Sequence, residues 1–293
     1  MIEYVNVRAS EILDQDELVS FLKARFPDST KTIGKMRLKG YETVEIRVLA
    51  HSREFEEIRD FIATRRLQGQ REYTDFTIGW VLRSYTKSDL QNAEALMIKI
   101  APHFEPSGEE CGTVYETLCN HCNWGRQISD LSLDLRRVPQ HKDISQTIAR
   151  VEWIVSSKFI RAITENKLTG ADFHPIFDLR NPLTPSTEWH QLRVTGTAGG
   201  LAEETTLGRD PFSTSQLSWQ CPLGHSSVAE FLSEVRLHRT NWDGSDIAIT
   251  NELFGQGLNL VRPTPLIVIS QRTYRVFERA ELKGLSYECV HLV

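Results

Sequence analysis

The residues best suited to chemistry in this 293-residue chain are its cysteines, of which there are five: Cys111, Cys119, Cys122, Cys221 and Cys289. Cys119-Asn120-His121-Cys122 places two thiols on one tight turn, as a zinc knuckle requires. Cys221-Pro222-Leu223-Gly224-His225 is the nearby stretch with comparable chemistry. Together Cys119, Cys122, Cys221 and His225 offer three sulfurs and one ring nitrogen, a donor set suited to a closed, tetrahedral, structural zinc ion. Four protein ligands leave no position for a reactive water, so the set points away from zinc catalysis. His121 and Cys111 are alternative ligands. The pair Cys119/Cys122 also has the spacing of a redox dithiol, but that chemistry needs the pair to open a helix after a strand. Here Trp124-Gly125 predicts a loop. Cys289 falls in an apolar terminal segment and reads as a buried side chain.

Other chemistry is sparse. The chain contains no G-x-S-x-G, H-E-x-x-H, G-x-x-x-x-G-K-[ST] or G-x-G-x-x-G pattern. His174, His190 and His238 are isolated, and Asp243 and Asp246 read as ordinary turn and strand-start aspartates. A net charge of −5 argues against nucleic-acid binding driven by overall charge. A local basic set remains at Arg126, Arg136, Arg137, His141, Lys142 and Arg150. No apolar run is long enough for a membrane span, and Met1 to Ile12 lacks the pattern of a secretory leader. A cytoplasmic protein is the expectation.

The elements that must position the cysteines fall into two parts. The first, 1–104, predicts a small two-layer α/β sandwich. It has a strand near Tyr4 and Asn6, then a helix capped by Asp14 with Leu18, Phe21, Leu22 and Phe26 inward and stopped by Pro27. A turn at Lys39-Gly40 leads into a strand with Val44, Ile46 and Val48 on one face. Ser52 opens a helix with Phe55, Ile58, Phe61 and Ile62 inward, and Phe76, Ile78, Trp80 and Leu82 alternate as a strand. Ser88 and Gln91 predict a third helix carrying Leu90, Ala93, Leu96 and Met97. The Pro- and Gly-rich stretch from Pro102 to Gly112 reads as a linker into a larger domain, 105–293.

In that domain Ile128, Leu131, Leu133 and Leu135 predict a short strand, 180–208 reads as loop-rich with a strand open at Leu192 and Val194, and Ser227 to His238 predicts a helix with Val228, Phe231, Leu232 and Val235 inward. Its organising feature is a repeat. With Ser156 set on Ser270, Gly170 falls on Gly284, Leu168 on Leu282, Phe173 on Tyr287 and Ile176 on Val290 without a gap. Each copy reads as strand, serine-capped helix, glycine stop and exit strand. Phe159, Ile160 and Ile163 face inward in one copy, and Tyr274 and Phe277 in the other. The predicted class is α+β: the small sandwich plus a larger α+β domain with two β-α-β repeats and a zinc knuckle pair.

The knuckle, then Trp153-Ile154-Val155-Ser156 to Phe159, then Leu168-Thr169-Gly170 to Phe173, resembles the bacterial double-CxxCG motif proteins. Pro265 to Ser270 and Leu282 to Tyr287 continue the likeness, which covers about 111–293. The chain ending is also similar to related immunity-protein families of polymorphic-toxin systems. Asn123 stands where the first CxxCG has glycine, and Gly224 where the second has its last cysteine, with His225 beside it. The resemblance implies a non-enzymatic immunity protein that binds a cognate toxin. The alternative is a zinc-stabilised nucleic-acid-binding or regulatory module.

Overall fold

The computed structural model describes residues 1–9, 12–26, 34–38, 41–67, 77–212, 219–255 and 262–293. Pro27, Lys39-Gly40 and Phe76 lie outside them. The chain forms two compact units. One comprises Met1–Thr86 with Thr206–Leu217 and Ala229–Ser233; the other comprises Lys87–Thr205, Ser218–Val228 and Glu234–Val293.

The smaller unit is the expected two-layer sandwich. Strands β1 (Ile2–Ala9), β2 (Gly34–Leu38), β3 (Tyr41–Leu49) and β4 (Thr77–Ser84) form an antiparallel sheet in the order β2-β3-β1-β4. Helices α1 (Ile12–Arg25) and α2 (Arg53–Leu67) supply Leu18, Leu22, Phe55, Ile58 and Ile62 to one core with Val5, Val7, Ile46 and Val48. Ser52 caps α2, its Oγ accepting from Phe55 N at 3.1 Å. Helix α1 already runs at Ile12, which puts Asp14 inside its first turn and not at the cap.

The larger unit departs from the sequence reading at its start. The predicted third helix ends early: α3 spans only Lys87–Asn92, and Leu96 and Met97 lie on strand β5 (Ala95–Ile100). Only Lys99 of that strand is exposed. A strand buried on both faces is apolar throughout, so its pattern cannot be told from that of a buried helix. Because β5 is central to the larger sheet, the division falls between Thr86 and Lys87, not at 104/105.

The unit is a duplicated scaffold whose copies exchange a strand. The first half holds β6 (His103–Phe104), the hairpin β7 (Tyr115–Thr117) and β8 (Gly125–Gln127), β9 (Leu131–Leu133), β10 (Ile144–Thr147), β11 (Trp153–Ser156), α4 (Ser157–Glu165) and β12 (Ala171–Asp178). The second half opens with β13 (Asn181–Val194) and β14 (Gly196–Gly199). It continues with the hairpin β15 (Trp219–Gln220) and β16 (Ser226–Val228), then β17 (Val235–Leu237), β18 (Ile247–Phe254), β19 (Thr264–Ser270), α5 (Gln271–Arg279) and β20 (Leu285–Leu292). The first sheet runs β6-β10-β11-β13-β12-β9, and the second β15-β16-β18-β19-β5-β20-β17 with β14 beside β18. Strand β13 fills the gap between β11 and β12, and β5 fills the equivalent gap between β19 and β20. Each gap-filling strand comes from the sequence of the other half.

Two expectations fail here for the same reason. Asn181–Val194 is one long strand where a strand was expected at most around Leu192 and Val194, and Ser227 to His238 contains no helix. Val228, Phe231, Leu232 and Val235 have helical spacing, but Val235 and Leu237 pair with Val290 and Leu292 and are buried. Long-range pairing overrides the local period.

The repeat itself is as read. Ser156 Oγ accepts from Phe159 N at 3.2 Å, and Ser270 Oγ from Thr273 N at 3.1 Å. Phe159, Ala162 and Ile163 are buried on α4, with Ile160 only half-buried; Thr273, Tyr274, Val276 and Phe277 are buried on α5. The Phe159 and Phe277 rings pack 5.1 Å apart. Gly170 and Gly284 have φ of 86° and 105°. A Cβ would lie 2.0 Å from the Ile247 carbonyl at the first and 2.3 Å from the Ile144 carbonyl at the second. Each helix stop therefore presses on the other half.

A reciprocal clamp completes the contact. Asp143 accepts from the capping Ser156 Oγ (2.9 Å) and from Lys283 N (2.9 Å). Asp246 accepts from the capping Ser270 Oγ (2.9 Å) and from Thr169 N (3.1 Å). Each buried aspartate thus ties the cap of its own half to the exit turn of the other. Lys158 approaches Asp143 at 3.5 Å and donates to the Glu281 carbonyl; Arg272 pairs with Asp246 at 3.0 Å and donates to the Asn166 carbonyl.

Candidate metal centre

The hairpins β7–β8 and β15–β16 each close on a knuckle. Cys119 N and Leu118 N donate to the Trp124 carbonyl, and Cys221 N donates to the Ser226 carbonyl, so the two loops have equal length. Within them the ligands sit differently. The first knuckle uses Cys122 and then turns through left-handed Asn123 (φ 56°); the second turns first, at Gly224 (φ 75°), and offers His225 one residue later. Asparagine is among the side chains that best tolerate this conformation, which explains how Asn123 stands where glycine is the simpler choice.

The four ligand atoms lie within 4.8 Å of one another. Cys119 Sγ is 3.8 Å from Cys221 Sγ, and His225 Nδ1 is 3.9 Å from both Cys122 Sγ and Cys221 Sγ. A tetrahedral ion with metal–sulfur bonds of about 2.3 Å needs sulfurs about 3.8 Å apart, so the spacing fits. The residues can therefore hold a metal ion. His121 is exposed and Cys111 is buried elsewhere, on a short turn of 3-10 helix; neither joins the cluster. Cys289 is buried in β20.

The cluster is closed off. Cys119, Cys122 and Cys221 are buried, with Trp124 and Trp219 packed against them and the Trp124 ring 4.8 Å from that of His225. Burial pushes the Cys122 thiol up, with Trp124 N–H pulling against it. At Cys119 burial also acts upward, but N–H groups of Cys122 and His121, together with His225, outweigh it and bring the thiol down to about 6. A thiol poised to ionise suits ligation, because metals bind the thiolate.

The first hairpin is anchored by a buried polar cluster that the sequence did not reveal. Tyr115 on β7 lies between the Arg150 and Arg262 guanidiniums, 4.9 and 5.1 Å from its ring centre. Its hydroxyl donates to Glu152, which also accepts from Thr147 Oγ1 and from Gly108 N. Gly125 leaves room for Arg262: a Cβ there would lie 2.7 Å from Nη1. Burial pushes the Glu152 carboxyl up to about 7, outweighing its hydrogen bonds from Tyr115 and Gly108.

Three of the six basic residues predicted near the knuckles are paired with carboxylates. Arg126 pairs with Glu116 at 2.6 Å, Arg136 grips Asp134 at 2.8 Å, and Arg150 pairs with Glu109. Among the described residues no helix is long and apolar enough to cross a membrane. Set against models of known protein families and against curated proteins, the chain matches none.

Proposed function

We propose that this chain is a non-enzymatic, zinc-stabilised binding protein of the immunity type, which neutralises a cognate toxin by direct binding. The observation that carries the reading is the clustered quartet of Cys119, Cys122, Cys221 and His225, its three cysteines buried. Three thiolates and one imidazole at tetrahedral spacing favour zinc over harder ions, and a complete ligand set makes the ion a brace. The immunity role rests on the likeness of 111–293 to the double-CxxCG and related proteins. The nucleic-acid alternative is weakened by the paired state of Arg126, Arg136 and Arg150, since phosphate binding needs free cations.

The test is co-expression with the products of flanking genes. One of them should arrest growth alone, lose that effect beside this chain and co-purify with it. Flanking products that are neither toxic nor bound would remove the immunity reading while leaving the zinc claim intact.

A further inference from the structure

The two helices of the repeat share a buried face and differ on the outside. On α5, Arg272, Arg275 and Arg279 are exposed at spacings of one helical turn. On α4 the corresponding positions are Lys158, Arg161 and Glu165. Helix α3 then adds Lys87, Gln91 and Asn92, and the two helices line one open groove of about 820 Å³ with Tyr274 and Glu278. Gln271 Nε2 donates to the Leu90 carbonyl at 2.6 Å and ties the walls together. Arg272 is occupied by Asp246. Lys87, Arg275 and Arg279 make no ion pair among the described residues, although the chain carries a net charge of −5.

Basic side chains at a helix C-terminus complement the helix dipole, and that alone would account for Arg279. It does not account for Lys87 across the groove, or for the amides of Gln91 and Asn92 beside it. Amides can bond the main chain of an extended peptide, donating to C=O and accepting from N–H. Arg275 and Arg279 sit about 6 Å apart along the helix. Carboxylates at alternate residues of an extended strand are about 6.7 Å apart on one face. Tyr274, the one aromatic ring lining the groove, is buried, so no exposed ring offers a platform for bases.

We infer that the groove between α3 and α5 docks an acidic, extended polypeptide segment of a protein partner, with Arg275 and Arg279 taking carboxylates two residues apart. This goes beyond the immunity reading and does not depend on the partner being a toxin.

The probe is a fluorescein-labelled peptide of alternating Glu and Gly, eight residues long, titrated with the full chain and followed by anisotropy. Controls are the Gln–Gly peptide and a labelled single-stranded oligonucleotide of equal charge. The Glu–Gly peptide should bind in a salt-sensitive manner. The double variant Arg275→Glu/Arg279→Glu should weaken it at least about tenfold. Arg161→Glu, on the matching face of α4, should leave it unchanged. All three positions are exposed, so far-UV circular dichroism and Tm should stay at wild-type values. The inference is overturned by no binding, by equal binding of the Gln–Gly peptide, by tighter binding of the oligonucleotide, or by equal loss in the α4 variant.

Discussion

The two halves of the larger unit agree where they press on each other and differ where they face something else. Both keep the serine cap, the left-handed glycine, the clamping aspartate and the exchanged strand. They part company at three places. The second knuckle offers His225 in place of a second cysteine. The turn before β11 ends on buried Glu152, whereas the equivalent position, inside β19, holds half-buried Leu266. In each half the residue's N–H is bonded by a threonine, Thr147 or Thr250. The outer helix face carries Arg279 where the first half has Glu165. Geometry therefore fixes the interface between the halves, and chemistry is free to diverge on the metal, at a buried carboxylate and on the surface.

The largest expected effect comes from the metal centre, to which each half contributes one knuckle. Zinc binding by knuckle peptides is worth on the order of 10 kcal/mol, and that free energy is folding free energy. Elemental analysis of protein purified without a histidine tag should give about one zinc per chain. Chelation should lower Tm sharply, and Cys119→Ser should reproduce much of the loss. A metal-free protein with an unchanged melting curve would reduce the quartet to a packed cysteine cluster.

Next is the clamp. The aspartates are buried while their cationic partners are largely exposed, so the loss comes chiefly from donors left unpaired, at about 1–3 kcal/mol each. Asp246→Ala should cost the more, because Arg272 sits at 3.0 Å; Asp143→Ala should cost less, because Lys158 sits at 3.5 Å. Urea denaturation measures both. Equal losses would mean that the bonds to Ser156, Ser270 and the exit turns dominate and the cations contribute little.

The sequence made some of this legible and hid the rest for definite physical reasons. The helix caps and stops were readable because Ser156 and Gly170, Ser270 and Gly284 are local devices with unvarying spacing. The four ligands were readable because few residue types bind soft metals, although only the fold brings Cys221 and His225 to Cys119 and Cys122. Strand β5 was hidden because burial on both faces erases the alternation that marks a strand. Strand β13 was hidden by Pro182 and Pro185, which lie in its exposed outer part. The clamp was hidden because Asp143 and Asp246 stand at a different spacing from the serines they bind, the loop before Thr264 being longer than its counterpart before Trp153. Glu152 was hidden because nothing local marks a carboxylate as buried.

Glu152 gives the next effect, and one confined to the first half. Its native carboxyl titrates near 7, against the usual value of 4.5. Between those values the native state holds a proton that the unfolded chain releases, so the stabilising contribution is intact below about pH 4.5 and is lost as pH rises through 7. The difference corresponds to about 3 kcal/mol. Glu152→Gln mimics the protonated form, so its Tm should exceed that of the wild type at pH 8 and approach it at pH 5. Parallel Tm curves across that range would show that Tyr115 and Gly108 stabilise the ionised form fully.

The smallest effect, a difference between two matched variants, tests whether the halves are equivalent at all. Gly170→Ala and Gly284→Ala each force a side chain into the left-handed region and against a carbonyl of the opposite half, at 2.0 and 2.3 Å. The left-handed conformation alone costs about 1–3 kcal/mol, and the clash with a backbone carbonyl adds to it. The two variants should lose similar stability, with Gly170→Ala slightly worse, and the double variant should lose more than either, because the two contacts lie on separate exit turns. If one alanine is tolerated and the other is not, the exit turns are not mechanically equal.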